Sequence, residues 1–146
     1  MTRVEIRRLD PDLALPQAAH PGDAGYDLRA REPLVLAPGG GRGAVPTGIA
    51  LAIPPGYAGL VLPRSGLALR QGVTCLNAPG LIDAGFRDEI RVILVNHDPA
   101  QPFEIARGDR IAQLVIQRVE RIEWAVVEDL AESARGLTGF GSTGRT

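Results

Sequence analysis

The sequence predicts a single all-β domain, and three features of its composition and pattern indicate this fold class. Glycine and proline contribute 18 and 12 of the 146 residues, well above their ordinary combined usage of roughly 12%. They recur as turn signals along the whole chain instead of being concentrated in one linker. Short aliphatic runs lie between these turns, and aromatic residues make up only 4% of the chain. Short strands at this spacing are typical of a β-sandwich or β-barrel.

Five runs carry the strand prediction: residues 4–9, 45–53, 57–62, 89–95 and 110–117. In the first run Val4 and Ile6 alternate with charged neighbours, which is the period of a half-buried strand. The last run places Leu114, Val115 and Ile116 side by side, which suits a strand that is buried on both faces. Helix is indicated only at 64–70, and a glycine within that segment weakens the indication.

Charge and residue usage exclude several classes of function. Sixteen basic residues face 17 acidic ones, giving a net charge of −1, so no basic field for nucleic acid is predicted. Every basic residue is arginine, which excludes lysine-based chemistry. Cys75 is the only cysteine, so neither an internal disulfide nor a cysteine-rich metal site is possible. The chain has no apolar run of membrane-spanning length and no signal-peptide core, so we expect a cytoplasmic protein without a membrane partner.

The last residues differ from the rest, which divides the chain into a domain at 1–132 and an arm at 133–146. The arm reads SARGLTGFGSTGRT and has too few apolar residues to form a core element. One interpretation is a disordered tail. The other is a segment that orders over a ligand, because glycine amides and hydroxyl groups bind anions, an arginine adds charge, and a phenylalanine offers a face for stacking.

Three further segments each allow a structural and a functional interpretation. PRSGLA at 63–68 is either a turn or a phosphate-binding triplet of guanidinium, hydroxyl and bare amide. NAPGLIDAGFRDEI at 77–90 is either an ordinary hairpin, with Asp83 in an Asx turn, or a rigid support for a carboxylate that accepts a proton from water. AGYDLRA at 24–30, if it is a strand, places Asp27 and Tyr26 on opposite faces, and the simple interpretation of Asp27 is a surface aspartate.

The order of these segments is more specific than any one of them. AGYDLRA, PRSGLA, GLIDAGFRDEI, RIAQLVI and RGLTGFGSTG begin at positions 24, 63, 80, 110 and 135. This order closely resembles the five motifs of the trimeric deoxyuridine triphosphatase (dUTPase) family, from about residue 20 to residue 144. The resemblance implies a jelly-roll β-barrel and a homotrimer, with active sites between subunits and the arm closing over them.

The resemblance also implies a reaction and its catalytic residues. The family uses Mg2+ and hydrolyses dUTP to dUMP and pyrophosphate. This reaction limits uracil incorporation into DNA and supplies dUMP for thymidylate synthesis. Asp83 is then the catalytic carboxylate that activates water for attack on the α-phosphorus. Asp27 lies near the metal and contacts it through water.

The remaining motif positions are expected to bind substrate. Arg64, Ser65, Gly66 and Gln113 would contact the phosphates, and the hairpin residues Asn77, Leu81, Ile82 and Asp83 would read uracil. Phe86 would pack on the deoxyribose, and Arg91 would line the same site. In the arm, Arg135, Ser142 and Thr143 would contact the γ-phosphate and Phe140 would stack on uracil. Gly141 is also expected to bind substrate.

Three positions depart from the family pattern, and two other functions remain open. Phe86 stands where the family usually has tyrosine, and Asp88 and Thr138 stand where glycine is common, which leaves the rate and the sugar selectivity open. The enzymatic alternative is a dCTP deaminase, which would release ammonia from dCTP. The non-enzymatic alternative is a nucleotide-sensing module, which would bind dUTP with negligible turnover.

Overall fold

The computed structural model describes residues 1–133 and 136 of the chain. Within these residues it contains eleven strands and one short helix: β1 Glu5–Arg8, β2 Tyr26–Arg29, β3 Leu34–Leu36, β4 Gly41–Pro46, β5 Ile49–Ala52, β6 Tyr57–Leu62, α1 Ser65–Gln71, β7 Val73–Cys75, β8 Gly80–Ile82, β9 Arg91–Asn96, β10 Phe103–Ile105 and β11 Arg110–Arg118. The all-β prediction is therefore confirmed, and so is a strand in each of the five runs. No helix in the described part of the chain is long and apolar enough to cross a membrane.

The strands form four hydrogen-bonded sheets whose pairings are all antiparallel. Their orders are β2-β11-β6-β8, β4-β9-β7, β1-β5 and β10-β3. The result is a jelly-roll-like β-sandwich. The expected jelly-roll fold is confirmed, and within the described residues its sheets are not closed into a barrel.

The run 45–53 shows why the sheets separate. It was expected to form one strand, but Pro46 ends β4, and Gly48 has a φ of +72° that turns the chain before β5. Thr47 fixes this corner by donating its hydroxyl to the carbonyl oxygen of Ile90 at 2.7 Å. Because of the turn, β4 pairs with β9 whereas β5 pairs with β1.

The core lies between the sheets and consists of aliphatic side chains, including Leu28, Leu36, Ile53, Leu94 and Ile111. Cys75 is buried among them, and burial raises the pKa of its thiol to about 11, which agrees with a packing role for this residue.

The helix α1 confirms the helical segment indicated at 64–70. It begins directly after Arg64 and ends at Gln71. Gly72 closes it in the left-handed conformation, with φ +62°, and donates its N–H to the carbonyl oxygens of Leu67 and Ala68. The turn from β6 into α1 thus fixes the backbone of Arg64 and Ser65 at the end of a sheet strand.

Candidate active site

The four-stranded sheet carries most of the predicted site residues. Asp27 lies on β2 and pairs with Gln113 on β11, and Gln113 also pairs with Leu62 near the end of β6. Arg64 follows β6 two residues later. Three segments that are far apart in sequence therefore meet at one end of this sheet.

An ion-pair cluster around the buried carboxylate of Asp27 occupies that end. Asp27 is only 8% exposed, so the interpretation of it as a surface aspartate is wrong. Its carboxylate lies 3.2 Å from the Nη1 atom of Arg110 and 4.0 Å from the Nε atom of Arg64. Arg64 also donates through Nη1 to the carbonyl oxygen of Arg110 at 2.6 Å. A buried carboxylate needs such partners to remain charged.

The cluster has donors left over for an anion. Each guanidinium has five N–H groups, and their planar fork matches phosphate oxygens. Because two arginines share one carboxylate, the cluster carries a net positive charge. It is therefore suited to bind a phosphate at this end of the sheet, next to the hydroxyl of Ser65.

Arg110 belongs to this cluster, although the sequence did not indicate it as a candidate. It is the first residue of RIAQLVI, and only Gln113 of that segment was selected. The signal that identifies Arg110 is its position at the start of a strand that pairs with the strand of Asp27. That pairing spans 83 residues of sequence.

The hairpin after β7 forms a separate groove with a volume of about 310 Å³. Six predicted residues line it: Asn77, Leu81, Ile82, Asp83, Phe86 and Arg91. Leu81 is 64% exposed, and Asp83 and Phe86 are also exposed. The backbone N–H of Phe86 donates to the carbonyl oxygen of Asp83 at 3.0 Å and closes the turn that presents the carboxylate. An open groove with a carboxylate, a phenyl ring and an arginine is suited to a polar, flat ligand.

The two halves of the predicted site do not meet within one chain. Ile82 on β8 pairs with the middle of β6, three residues before the β6 residue that is level with Asp27. Across the sheet, β8 is three strands away from β2, which carries Asp27. At about 3.3 Å per residue and about 4.8 Å per strand, the Cα atoms of Asp27 and Ile82 are roughly 17 Å apart. Asp83 lies one residue further along, so it is also remote from Arg64.

The predicted residues of the arm lie outside the described residues. These are Arg135, Thr138, Phe140, Gly141, Ser142 and Thr143. Their roles stay predictions.

An arginine cluster at one sheet end and a polar groove on a hairpin define a class of β-sandwich protein that is suited to binding a phosphorylated ligand. Within that class, the chain belongs to the dUTPase family, whose model matches residues 12–144. This match leaves out only the first eleven and the last two residues, and it confirms the family that the five ordered motifs resemble.

Curated relatives agree with this assignment. The deoxyuridine 5'-triphosphate nucleotidohydrolase of Thermobifida fusca is 65% identical over 142 residues, which cover 97% of this chain and 79% of that protein. The enzyme of the same name from Corynebacterium glutamicum is 56% identical over 146 residues, which cover 100% of this chain and 97% of that protein.

Solved structures agree as well. A mutant of the Staphylococcus bacteriophage 80alpha dUTPase with dUpNHpp has a TM-score of 0.88 and 30% identity, covering 99% of both chains. A mutant dUTPase from phage phi11 of S. aureus, described with a structural Mg(II) ion, has a TM-score of 0.78 and 27% identity, covering 87% of this chain and 97% of that chain.

Proposed function

We propose that this chain hydrolyses dUTP to dUMP and pyrophosphate in a homotrimer whose active sites lie between subunits. The observation that carries the proposal is the hairpin groove, because it gathers six of the residues predicted to bind substrate, including the exposed Asp83. We place the enzyme in the cytoplasm, where the pool of free nucleotides is available to it.

The hairpin is the proposed reader of uracil. The uracil edge presents an acceptor, a donor and an acceptor, which the backbone groups of Leu81 and Asp83 and the side chain of Asn77 complement. Cytosine has a donor at position 4, so it would leave buried polar groups unpaired. The tight hairpin would clash with the 5-methyl group of thymine. Phe86 packs against the deoxyribose and leaves no room for a 2′-hydroxyl.

The arginine cluster is the proposed phosphate site. Arg64, Ser65, Gly66 and Gln113 contact the phosphate oxygens, and we add Arg110 to this group because its guanidinium lies on the same carboxylate as that of Arg64. Ser65 lies near the bridge between the α- and β-phosphates, where negative charge develops on the leaving group.

The donor set near Asp27 fits Mg2+ that is bound mainly by the substrate. Within residues 1–133 and 136, no group of three or more His, Cys, Asp and Glu side chains is placed to hold a metal ion. Mg2+ commonly keeps several waters and uses one or two carboxylates together with substrate phosphates. Asp27 would therefore hold a water of the ion instead of binding it directly. When bound, Mg2+ neutralises charge on the phosphates.

Asp83 performs the proton transfer in this proposal. Its carboxylate orients a water molecule and accepts a proton from it as the water oxygen bonds to the α-phosphorus. The bond from the α-phosphorus to the bridging oxygen breaks, and pyrophosphate leaves with that oxygen. The products are dUMP and pyrophosphate.

The separation of Asp83 from the arginine cluster supports the oligomeric part of the proposal. Within one chain, the Cα atoms of Asp27 in the arginine cluster and of Ile82, the neighbour of Asp83, are roughly 17 Å apart, which makes it difficult for one triphosphate to contact both halves. A second copy of the chain that brings its hairpin to the arginine cluster removes this difficulty. The complete site is therefore assigned to the interface between subunits.

An exposed apolar segment gives independent support for assembly. After Val119, whose N–H donates to the carbonyl oxygen of Gly56, residues 120–130 lie outside the strands. This segment exposes several large apolar side chains, and Trp124 is 84% exposed. These exposed apolar side chains are available for a protein contact, and a neighbouring subunit is the partner that we propose.

A comparison of nucleotides tests the reaction, the base and the sugar together. With Mg2+, we expect kcat/KM for dUTP to exceed the values for UTP, dTTP and dCTP by at least about 10³-fold, because each analogue meets a clash or an unpaired polar group. Pyrophosphate and ammonia release are measured in parallel. Ammonia from dCTP would indicate the deaminase, and calorimetric binding of dUTP without pyrophosphate release would indicate a sensing module.

A further inference from the structure

Glu89 lies at the base of the hairpin groove, and its two carboxylate oxygens have different partners. The side chain is only 9% exposed. Oε1 accepts from the backbone N–H of Gly48 at 2.8 Å and from Nη1 of Arg31 at 3.3 Å. Oε2 lies 3.8 Å from Nη2 of Arg91, which is 61% exposed and lines the groove. One oxygen therefore faces the protein interior and the other faces the groove.

The interior side of Glu89 is rigid. Gly48 has a φ of +72°, and its carbonyl oxygen accepts from the N–H groups of Leu9 and Asp10. The N–H of the residue after Glu89, Ile90, donates to the carbonyl oxygen of Ile49 at 2.9 Å. The backbone on both sides of the Glu89 contact is thus fixed by hydrogen bonds that do not involve the groove.

Arg31 is also held by contacts with residues other than Glu89. Its Nε atom lies 3.7 Å from the carboxylate of Asp10, and its carbonyl oxygen accepts from Nη1 of Arg107 at 3.0 Å. Arg107 also bonds to the Asp10 carboxylate and lowers the pKa of Asp10 to about 2, so this carboxylate is charged at neutral pH. Arg31 is therefore held in place beside Oε1 of Glu89.

We propose that Glu89 is a positioning residue that holds Arg91 over the hairpin groove for contact with the bound nucleotide. Arg91 has a long and mainly exposed side chain, and it would otherwise distribute over many rotamers. A buried carboxylate with fixed partners reduces that freedom through one charged contact. This inference rests on the proposed function, because it concerns the nucleotide site of the same hairpin.

Glu89→Gln tests the inference with little change in shape. The amide keeps an oxygen that can accept from the N–H of Gly48, but it removes the negative charge that faces Arg91. We expect KM for dUTP to rise about fivefold and kcat to stay within about twofold, the pattern of lost ground-state binding. Arg91→Gln should have the same effect. Glu104→Gln, an exposed glutamate on β10, is the matched control and should behave as wild type.

The double variant separates positioning from general stability. If Glu89 acts through Arg91, then Glu89→Gln adds nothing in the Arg91→Gln background, and the two effects on KM do not multiply. Independent effects that multiply would overturn the inference, and so would an unchanged KM in Arg91→Gln. Because Arg91 is exposed, that variant should fold, and an unchanged KM in it overturns the inference even if Glu89→Gln fails to fold.

Wild-type measurements distinguish failure of this inference from failure of the proposed function. A wild-type protein without dUTP hydrolysis refutes the function. The positioning inference is then still decided by calorimetry with dUMP, where Arg91→Gln and Glu89→Gln should weaken binding to a similar extent. Unchanged dUMP binding in both variants overturns it.

Discussion

Asp83→Asn should lower kcat for dUTP by about 10³-fold, the size expected for loss of a general base. The amide has nearly the shape of the carboxylate but does not accept a proton at neutral pH. Affinity should change little, because in the proposed site uracil is read by backbone groups of the hairpin, and these do not depend on the Asp83 carboxylate. The measurement is single-turnover hydrolysis together with calorimetric binding of dUTP.

A matched carboxylate variant controls for charge. Asp12→Asn removes one negative charge at an exposed position outside the groove and should leave kcat unchanged. A rate that persists in Asp83→Asn would show that another group accepts the proton. A parallel loss of binding and rate would indicate that the variant changed the hairpin itself.

Deletion of residues 134–146 should reduce turnover to background while the thermal unfolding midpoint shifts by no more than about 2 °C. The family motif assigns Arg135, Ser142 and Thr143 to the γ-phosphate and Phe140 to stacking on uracil, so the deletion removes several contacts at once. The buried core identified in the structure lies wholly before residue 120, so the stability of the domain should not depend on the arm. Turnover is compared with the thermal unfolding midpoint, which differential scanning calorimetry measures on the same preparation.

Arg135→Gln in the full-length chain is the graded control for the deletion. It removes one cation and should give a smaller loss of kcat/KM than the deletion. A midpoint that falls by ten degrees or so in the truncated protein would instead make the arm part of the folded structure. Full turnover in the truncated protein would show that the arm is not part of the active site.

The sequence was sufficient for the fold class and for six of the residues that line the hairpin groove. Aliphatic runs bounded by glycine and proline located five strands, because turn chemistry and strand period are local properties. The hairpin residues from Asn77 to Phe86 are also close in sequence, so their grouping in one groove followed from a single segment. The segment after β6 was correctly predicted as a helical turn for the same reason.

Features that depend on long-range pairing were not predictable in this way. Arg110 enters the site because β11 pairs with β2, and Glu89 gains its role from Gly48, which is 41 residues away in sequence. Nothing local to either residue indicates these contacts. The separation into four sheets likewise depends on the turn at Pro46 and Gly48, where one aliphatic run divides between two partners.

The distance between the hairpin and the arginine cluster supports the proposal that each site is shared between subunits, because it separates Asp83 from Arg64 within one chain. Asp83 belongs to the hairpin and Arg64 belongs to the arginine cluster. A variant of each residue therefore inactivates a different half of the proposed site. Asp83→Asn retains the arginine cluster, and Arg64→Gln retains the catalytic carboxylate. Only a site built from two chains can combine the intact halves.

Mixing these two variants is the most direct test. Each is unfolded in guanidinium chloride, and they are refolded together in equal amounts, with separately refolded variants and wild type as controls. If Asp83 and Arg64 of one site come from different subunits, random assembly should restore about a quarter of the wild-type activity. Mixed oligomers whose activity does not exceed the sum of the two parents would contradict a site shared between subunits.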